Sequence, residues 1–380
     1  MNDWNLYRLL LRLLPRRGRV SEESLPPGAS PEKILRAHRC LGASLCLFDE
    51  TGVTGSCAFG VSHRDGTPVT GETVFRAASV SKFVTALGAM KLREMGKIDL
   101  DRDAGTYLPA SFMDAWKPDR PVTLRALLTH TAGVRDSDGY NAGIARGAPL
   151  REILGDEAIH GQPGTWEYSN LGAGIAGAVL EAATGTDFET LMQETVFRPL
   201  GVTATYYPQK VQSDLADAWR ILPPQRLPHY DAAARRARPL PPAEADPEHH
   251  YNLAHGALCV TAAALARLGM AGMTPGFLTE ASLDEMRREA APFGRRAANL
   301  SQGIGTFILR EPKISPRPLY GHQGMAYGAV HGLFFDPETK MGVSLLTTGA
   351  DEARRGVLAD LNFDVLKKYL GEGDSDGPRC

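Results

Sequence analysis

Short β-type runs stand at both ends of this chain and helical text fills its middle. That distribution restricts the architecture more than any other feature. Residues 42–49 and 53–61 cluster or alternate apolar side chains around Glu50-Thr51-Gly52, the pattern of a β-hairpin. Residues 303–309, 328–335 and 341–348 are of the same kind, the last two joined by a turn at 336–340. Strands from both termini share a core most simply by pairing in one antiparallel sheet, with the intervening helices inserted as a separate layer. The expectation is therefore an α/β (α+β) fold, an antiparallel sheet flanked by N- and C-terminal helices with an all-helical insertion. Residues 30–105 and 300–370 would form the discontinuous sheet domain, and 106–299 the helical domain with long loops. Residues 1–29 would be a basic amphipathic arm and 371–380 a polar, disordered tail.

Inside the insertion, helix signals are local. Thr123 is placed to cap a helix running to His130. Residues 171–183 are small and apolar and stop at Gly185. Asp187 can cap a helix to Phe197 that Pro199 ends, and Thr261 can cap one through Leu268. Residues 31–40 and 354–370 read as further helices. Residues 221–251 contain seven prolines and are expected to be a long loop beside a site. Its His249 and His250, with nearby His255, lack metal-ligand spacing and read as solvated loop histidines; no metal or other cofactor is expected.

Composition excludes some classes. Lys plus Arg number 42 and Asp plus Glu 44, a balance that offers nothing to nucleic acid. The odd set Cys40, Cys46, Cys57, Cys259 and Cys380 argues against a complete disulfide framework and for a reducing, cytoplasmic setting. In residues 1–20, Arg8 and Arg12 interrupt the leucines, so neither a membrane span nor a secretory signal is read there. A helix packed on the protein's own surface is favoured over one lying on a membrane. Oligomeric state is not legible.

Three clusters carry chemistry. Ser79 and Lys82 stand three apart where Phe83, Val84, Leu87 and Met90 begin a helical apolar pattern. That spacing puts hydroxyl and amine on one face. The amine can take the serine's proton if burial or positive neighbours depress its pKa. Tyr168 and Asn170 lie in Trp166-Glu-Tyr-Ser-Asn170 just before a helix, able to face one cavity. A nearby ammonium would stabilise a Tyr168 phenolate. Gly321-His-Gln-Gly-Met-Ala-Tyr-Gly328 leads into a strand, its glycines allowing close approach as at a sheet edge and His322 able to donate to a carbonyl or carboxylate.

The order Ser79-x-x-Lys82, Tyr168-x-Asn170, His322-x-Gly324 resembles the serine β-lactamase and penicillin-binding-protein family, in its class C, DD-peptidase and family VIII esterase branch. Leu127-Leu-Thr-His-Thr-Ala-Gly133 and Arg198-Pro-Leu-Gly201 also resemble phrases of that family, and the similarity runs over about residues 30–370. The resemblance implies Ser79 as acylated nucleophile, with Lys82 or Tyr168 as general base. It implies Asn170 as orienter of Lys82 and partner of the substrate amide, and the backbone N–H groups of Ser79 and Met325 as oxyanion hole. His322-Gln-Gly324 replaces the family's Lys-Thr-Gly and removes a permanent charge, a variant more frequent in its esterase, aminopeptidase and acyltransferase members. The implied activity is hydrolysis of a small ester or amide through an acyl-enzyme, carboxylesterase-like first. β-Lactamase, D-amino-acid peptidase or amidase, acyltransferase and a non-catalytic binding homologue are the alternatives.

Overall fold

A computed structural model describes residues 18–221, 228–294 and 299–371. The basic stretch 1–17, most of the polar tail and residues 222–227 of the proline-rich segment lie outside the described residues. In chain order the strands are β1 Val20–Glu23, β2 Gly42–Asp49, β3 Val53–Gly60, β4 Phe75–Arg76, β5 Ala204–Thr205, β6 Cys259–Val260, β7 Ala291–Pro292, β8 Leu300–Gln302, β9 Phe307–Leu309, β10 Leu319–Ala326, β11 Ala329–Asp336 and β12 Met341–Thr347.

Nine of these form one antiparallel sheet in the order β1-β3-β2-β12-β11-β10-β9-β8-β7, so strands from the two ends of the chain meet where β2 pairs β12. The turns that set register are local. Asp49 accepts the amides of Thr51 and Gly52 across the first hairpin, and Asp336 accepts those of Glu338 and Thr339 before β12. Every residue of β11 is buried, as a strand covered on both faces must be. Helix Ala262–Met273 covers one face and helix Asp360–Tyr369 packs against the same strands. Gly269 lets the first of these approach: a Cβ there would meet Phe48 at 2.7 Å and Leu333 at 2.8 Å.

The capping signals produce the helices they announce. Thr123, Asp187 and Thr261 accept the amides of Ala126, Thr190 and Ala264, and Gly185 ends Asn170–Thr184 in the left-handed conformation.

Four expectations need correction. Residues 20–23 of the N-terminal arm are strand β1, paired with β3. The proline-rich segment is not a loop throughout. Ala232–Arg236 and Pro247–Gly256 are helices, the second begun by a proline at its first position, where no hydrogen bond is lost. Only His249 of the three histidines is exposed; His250 is 6 % exposed and pairs with fully buried Glu181. Finally, the C-terminal helix begins at Asp360, because residues 354–355 and 358–359 pair as short strands before it.

Candidate active site

Ser79 sits in a single 3-10 turn, Ala78–Val80, between β4 and the helix Ser81–Glu94. Ala78 adopts φ +49°, a conformation that costs a non-glycine residue on the order of 1–3 kcal/mol. The neighbourhood holds it: Ala77 N donates to Leu258 O at 2.7 Å, and Ser81 Oγ donates to Ala78 O at 2.6 Å. The result is a half-buried Ser79 between two buried neighbours.

Lys82, one helical turn on, is 2 % exposed. Its Nζ lies 3.2 Å from Ser79 Oγ, 2.8 Å from Asn170 Oδ1 and 2.9 Å from His255 O. Two of these partners only accept, since the Asn170 Nδ2 donates to Asp136 Oδ2 at 2.7 Å and so fixes the amide's orientation. Burial pulls the Lys82 pKa down from 10.5 to about 7, Asp136 opposing and Arg76 assisting. A neutral amine here gives its two hydrogens to Asn170 and His255 and turns its lone pair to Ser79.

Tyr168 completes the cluster. Lys82 Nζ stands 4.9 Å from the Tyr168 ring centre, and Ser79 is the side chain that partly offsets the effect of burial on the Tyr168 hydroxyl. The expected phenolate is not supported. Burial raises the Tyr168 pKa above its ordinary value, only partly offset by Ser79, and Asp136 adds to the rise. The neighbouring amine cannot reverse this, because it is itself half discharged at neutral pH.

Residues without any assigned role hold these groups in place. Asp136 accepts from Ser169 Oγ (3.0 Å), Asn170 Nδ2 (2.7 Å) and Leu171 N (2.9 Å), fastening the Tyr168–Asn170 connection to its helix. His130, at φ +57°, accepts the Ser169 amide on Nδ1 and the Glu167 amide on its carbonyl, and its ring packs 4.5 Å from Tyr168. The motif Leu127–Gly133 was the available signal for His130.

The third cluster lies inside β10 rather than ahead of a strand. β9 pairs β10 only over Leu319–Gly321, so the half carrying His322, Gly324 and Met325 presents its edge to the Ser79 turn. Gly324 is the point of contact: a Cβ would stand 2.4 Å from Ala77 O and 3.2 Å from Ser79 N. Met325 pairs with Val330 and is partly exposed. His322 differs from expectation. Its Nδ1 lies 2.6 Å from Gln323 O, which can only accept, so Nδ1 holds the proton. Burial, then the Lys82 charge, depresses its pKa to about 3. Nε2 is therefore a buried bare acceptor without a partner and cannot donate to a carboxylate. Phe307 stacks on the ring at 4.1 Å, and Trp166 stacks on Phe293 at 3.9 Å, giving the region an apolar aromatic side.

A separate cleft of about 1180 Å³ lies between the β2–β3 turn and helix Ala262–Met273 and includes none of these residues. Among the described residues no group of His, Cys, Asp and Glu could hold a metal ion, and no helix is long and apolar enough to cross a membrane.

A family model described as Beta-lactamase matches residues 31–367. Esterase EstB of Burkholderia gladioli is 27% identical over 362 residues, covering 86% of this chain and 91% of that protein. Penicillin-binding protein 4 of Amycolatopsis lactamdurans is 27% identical over 354 residues, covering 88% and 86%. Among solved structures, EstCE1, a hydrolase with promiscuous acyltransferase activity, superposes with a TM-score of 0.70 at 23% identity, covering 90% of this chain and 96% of that one.

Proposed function

Because the chain belongs to the Beta-lactamase family and is a serine hydrolase of that superfamily, we propose that it is a carboxylesterase-like enzyme that acylates Ser79 with a small ester. The observation that carries this is the Lys82 amine, with its N–H groups committed to Asn170 Oδ1 and His255 O and its remaining position 3.2 Å from Ser79 Oγ.

Neutral Lys82 takes the Ser79 proton as Oγ bonds to the acyl carbon. The carbonyl's electron pair becomes an oxyanion facing the backbone N–H groups of Ser79 and Met325. Collapse breaks the bond to the leaving oxygen, which takes the proton of the Tyr168 hydroxyl while Lys82 returns one to Tyr168. Water then enters in the leaving group's place and the transfers run backwards. Its oxygen bonds to the acyl carbon as Tyr168 takes its proton and passes one to Lys82, and Lys82 returns a proton to Ser79 Oγ as the acyl bond breaks. Tyr168 acts as a relay that stays a phenol at rest, and Lys82 is the base. Positioned proton transfer of this kind contributes typically 10²–10⁴-fold.

The neutral His322 and the aromatic side formed by Phe307, Phe293 and Trp166 favour an uncharged acyl group there and disfavour a β-lactam carboxylate at that position. The name of the Burkholderia gladioli relative points the same way. The test is a panel of p-nitrophenyl esters, D-amino acid amides and nitrocefin with native protein and Ser79→Ala. Short p-nitrophenyl esters are expected to turn over fastest, with all turnover lost in the variant. Nitrocefin or an amide as the best substrate would overturn the esterase reading, and undiminished Ser79→Ala activity would overturn the nucleophile.

A further inference from the structure

Past Gly324 along β10, beside Tyr327, stands a cation whose only part so far is to assist in lowering the Lys82 pKa. Arg76, in β4 three residues before Ser79, is half-buried, and among the described residues no carboxylate lies within ion-pair distance of it. Its guanidinium is held between two aromatic faces, 5.1 Å from the Tyr327 ring centre and 5.9 Å from that of Tyr230. Tyr327 takes φ +59° at the end of β10. Arg235 lies over Tyr230 as well, at 5.5 Å. The nearby acid, Asp217, is committed to His63 Nδ1 at 3.0 Å and the Ala232 amide at 2.8 Å.

The guanidinium also borders the reacting centre. A methyl group placed on Gly256 would lie 3.1 Å from Arg76 Nη2 and 3.9 Å from the carbonyl carbon of Ala78, the residue before the nucleophile. The neighbouring carbonyl, that of His255, is the one Lys82 donates to. A permanent, planar, partly exposed cation whose donors lack acidic partners among the described residues suits a planar anion.

We propose that Arg76, steadied by Tyr230 and Tyr327, is a carboxylate-binding subsite of the active centre, selecting esters with a carboxylate on one end and an uncharged group toward His322. This rests on the hydrolase reading above, and the test separates the two.

Two matched substrate pairs place the charge at either end: p-nitrophenyl hemiglutarate against its methyl ester, and 3-acetoxybenzoate against 3-acetoxybenzamide. One pair is expected to show a carboxylate preference in kcat/KM of about tenfold to a hundredfold, the value of a charge-assisted hydrogen bond. The preference should be carried by KM and shrink as salt is raised. Arg76→Gln should bring that ratio to about one, and Arg76→Lys should keep part of it. A merely structural arginine would lower both members of a pair together and leave the ratio unchanged. In parallel, calorimetric binding of benzoate and benzamide to Ser79→Ala, with and without Arg76→Gln, reads the subsite without turnover. No carboxylate preference in either assay, or a preference that survives Arg76→Gln, overturns the subsite. Binding preference without Ser79-dependent hydrolysis of any substrate would instead retain the subsite and remove the esterase.

Discussion

Gly324→Ala isolates the contact between β10 and the nucleophile turn. The added Cβ would stand 2.4 Å from Ala77 O, 3.2 Å from Ser79 N and 3.3 Å from Ala78 Cβ, whereas carbon and oxygen in contact keep about 3.3 Å or more. One side must retreat by roughly 1 Å. Ala77 is fully buried and tied to Leu258 O at 2.7 Å, so the free edge of β10 yields and takes the Met325 amide with it. Overpacking of this kind costs about 1–3 kcal/mol of stability. A displacement of that size beside the reacting atoms costs on the order of 10²-fold in rate, approaching the effect of losing an oxyanion donor. Gly332→Ala is the control. It lies on neighbouring β11, and its Cβ would meet Asn362 Oδ1 at 2.5 Å, away from Ser79. Steady-state kinetics on p-nitrophenyl acetate, with thermal unfolding of the same samples, should show Gly324→Ala losing about a hundredfold in kcat while Gly332→Ala loses stability only. A Gly324→Ala kcat close to that of native protein, or an equal loss in Gly332→Ala, would refute the reasoning.

Further outcomes follow from the same geometry. With Lys82 at about 7 and active as the neutral amine, kcat/KM should rise with pH through about 7 and level above it. The unfolded chain keeps the Lys82 proton up to about 10.5, so this group makes stability rise with pH between those values, and Lys82→Met should flatten that slope in pH-dependent denaturant melts. Asp136→Ala removes the acceptor of three hydrogen bonds and should cost about 3 kcal/mol in stability. Because Asp136 holds the Lys82 pKa up, the rising limb of the pH–rate profile should move to lower pH; a limb that stays in place would contradict that coupling.

Much of this fold was legible because its signals are local. The first hairpin is written in Asp49 to Gly52, the helix starts in Thr123, Asp187 and Thr261, and the Ser79–Lys82 contact in a spacing of three. What escaped is set by partners far along the chain. Glycine and polar residues hide β10 as a strand, and only its register with β11 makes it one. Pro247 looked like a loop residue until its place at a helix start was visible, and His250 needed Glu181, 69 residues away, to be recognised as buried. The protonation states were the least legible. Burial decides that Tyr168 stays a phenol, and a backbone carbonyl decides that His322 accepts rather than donates. Asp136 and His130 grip the Tyr168 connection through contacts more than thirty residues apart.

The central claim is that Ser79 is the atom acylated, activated by a buried neutral amine. Intact-mass analysis of folded protein with a fluorophosphonate, followed by peptide mapping, tests it most directly. One adduct is expected, on Ser79, absent in Ser79→Ala and forming faster as pH rises through about 7. A folded protein that takes no label, or takes it on another residue, would contradict it.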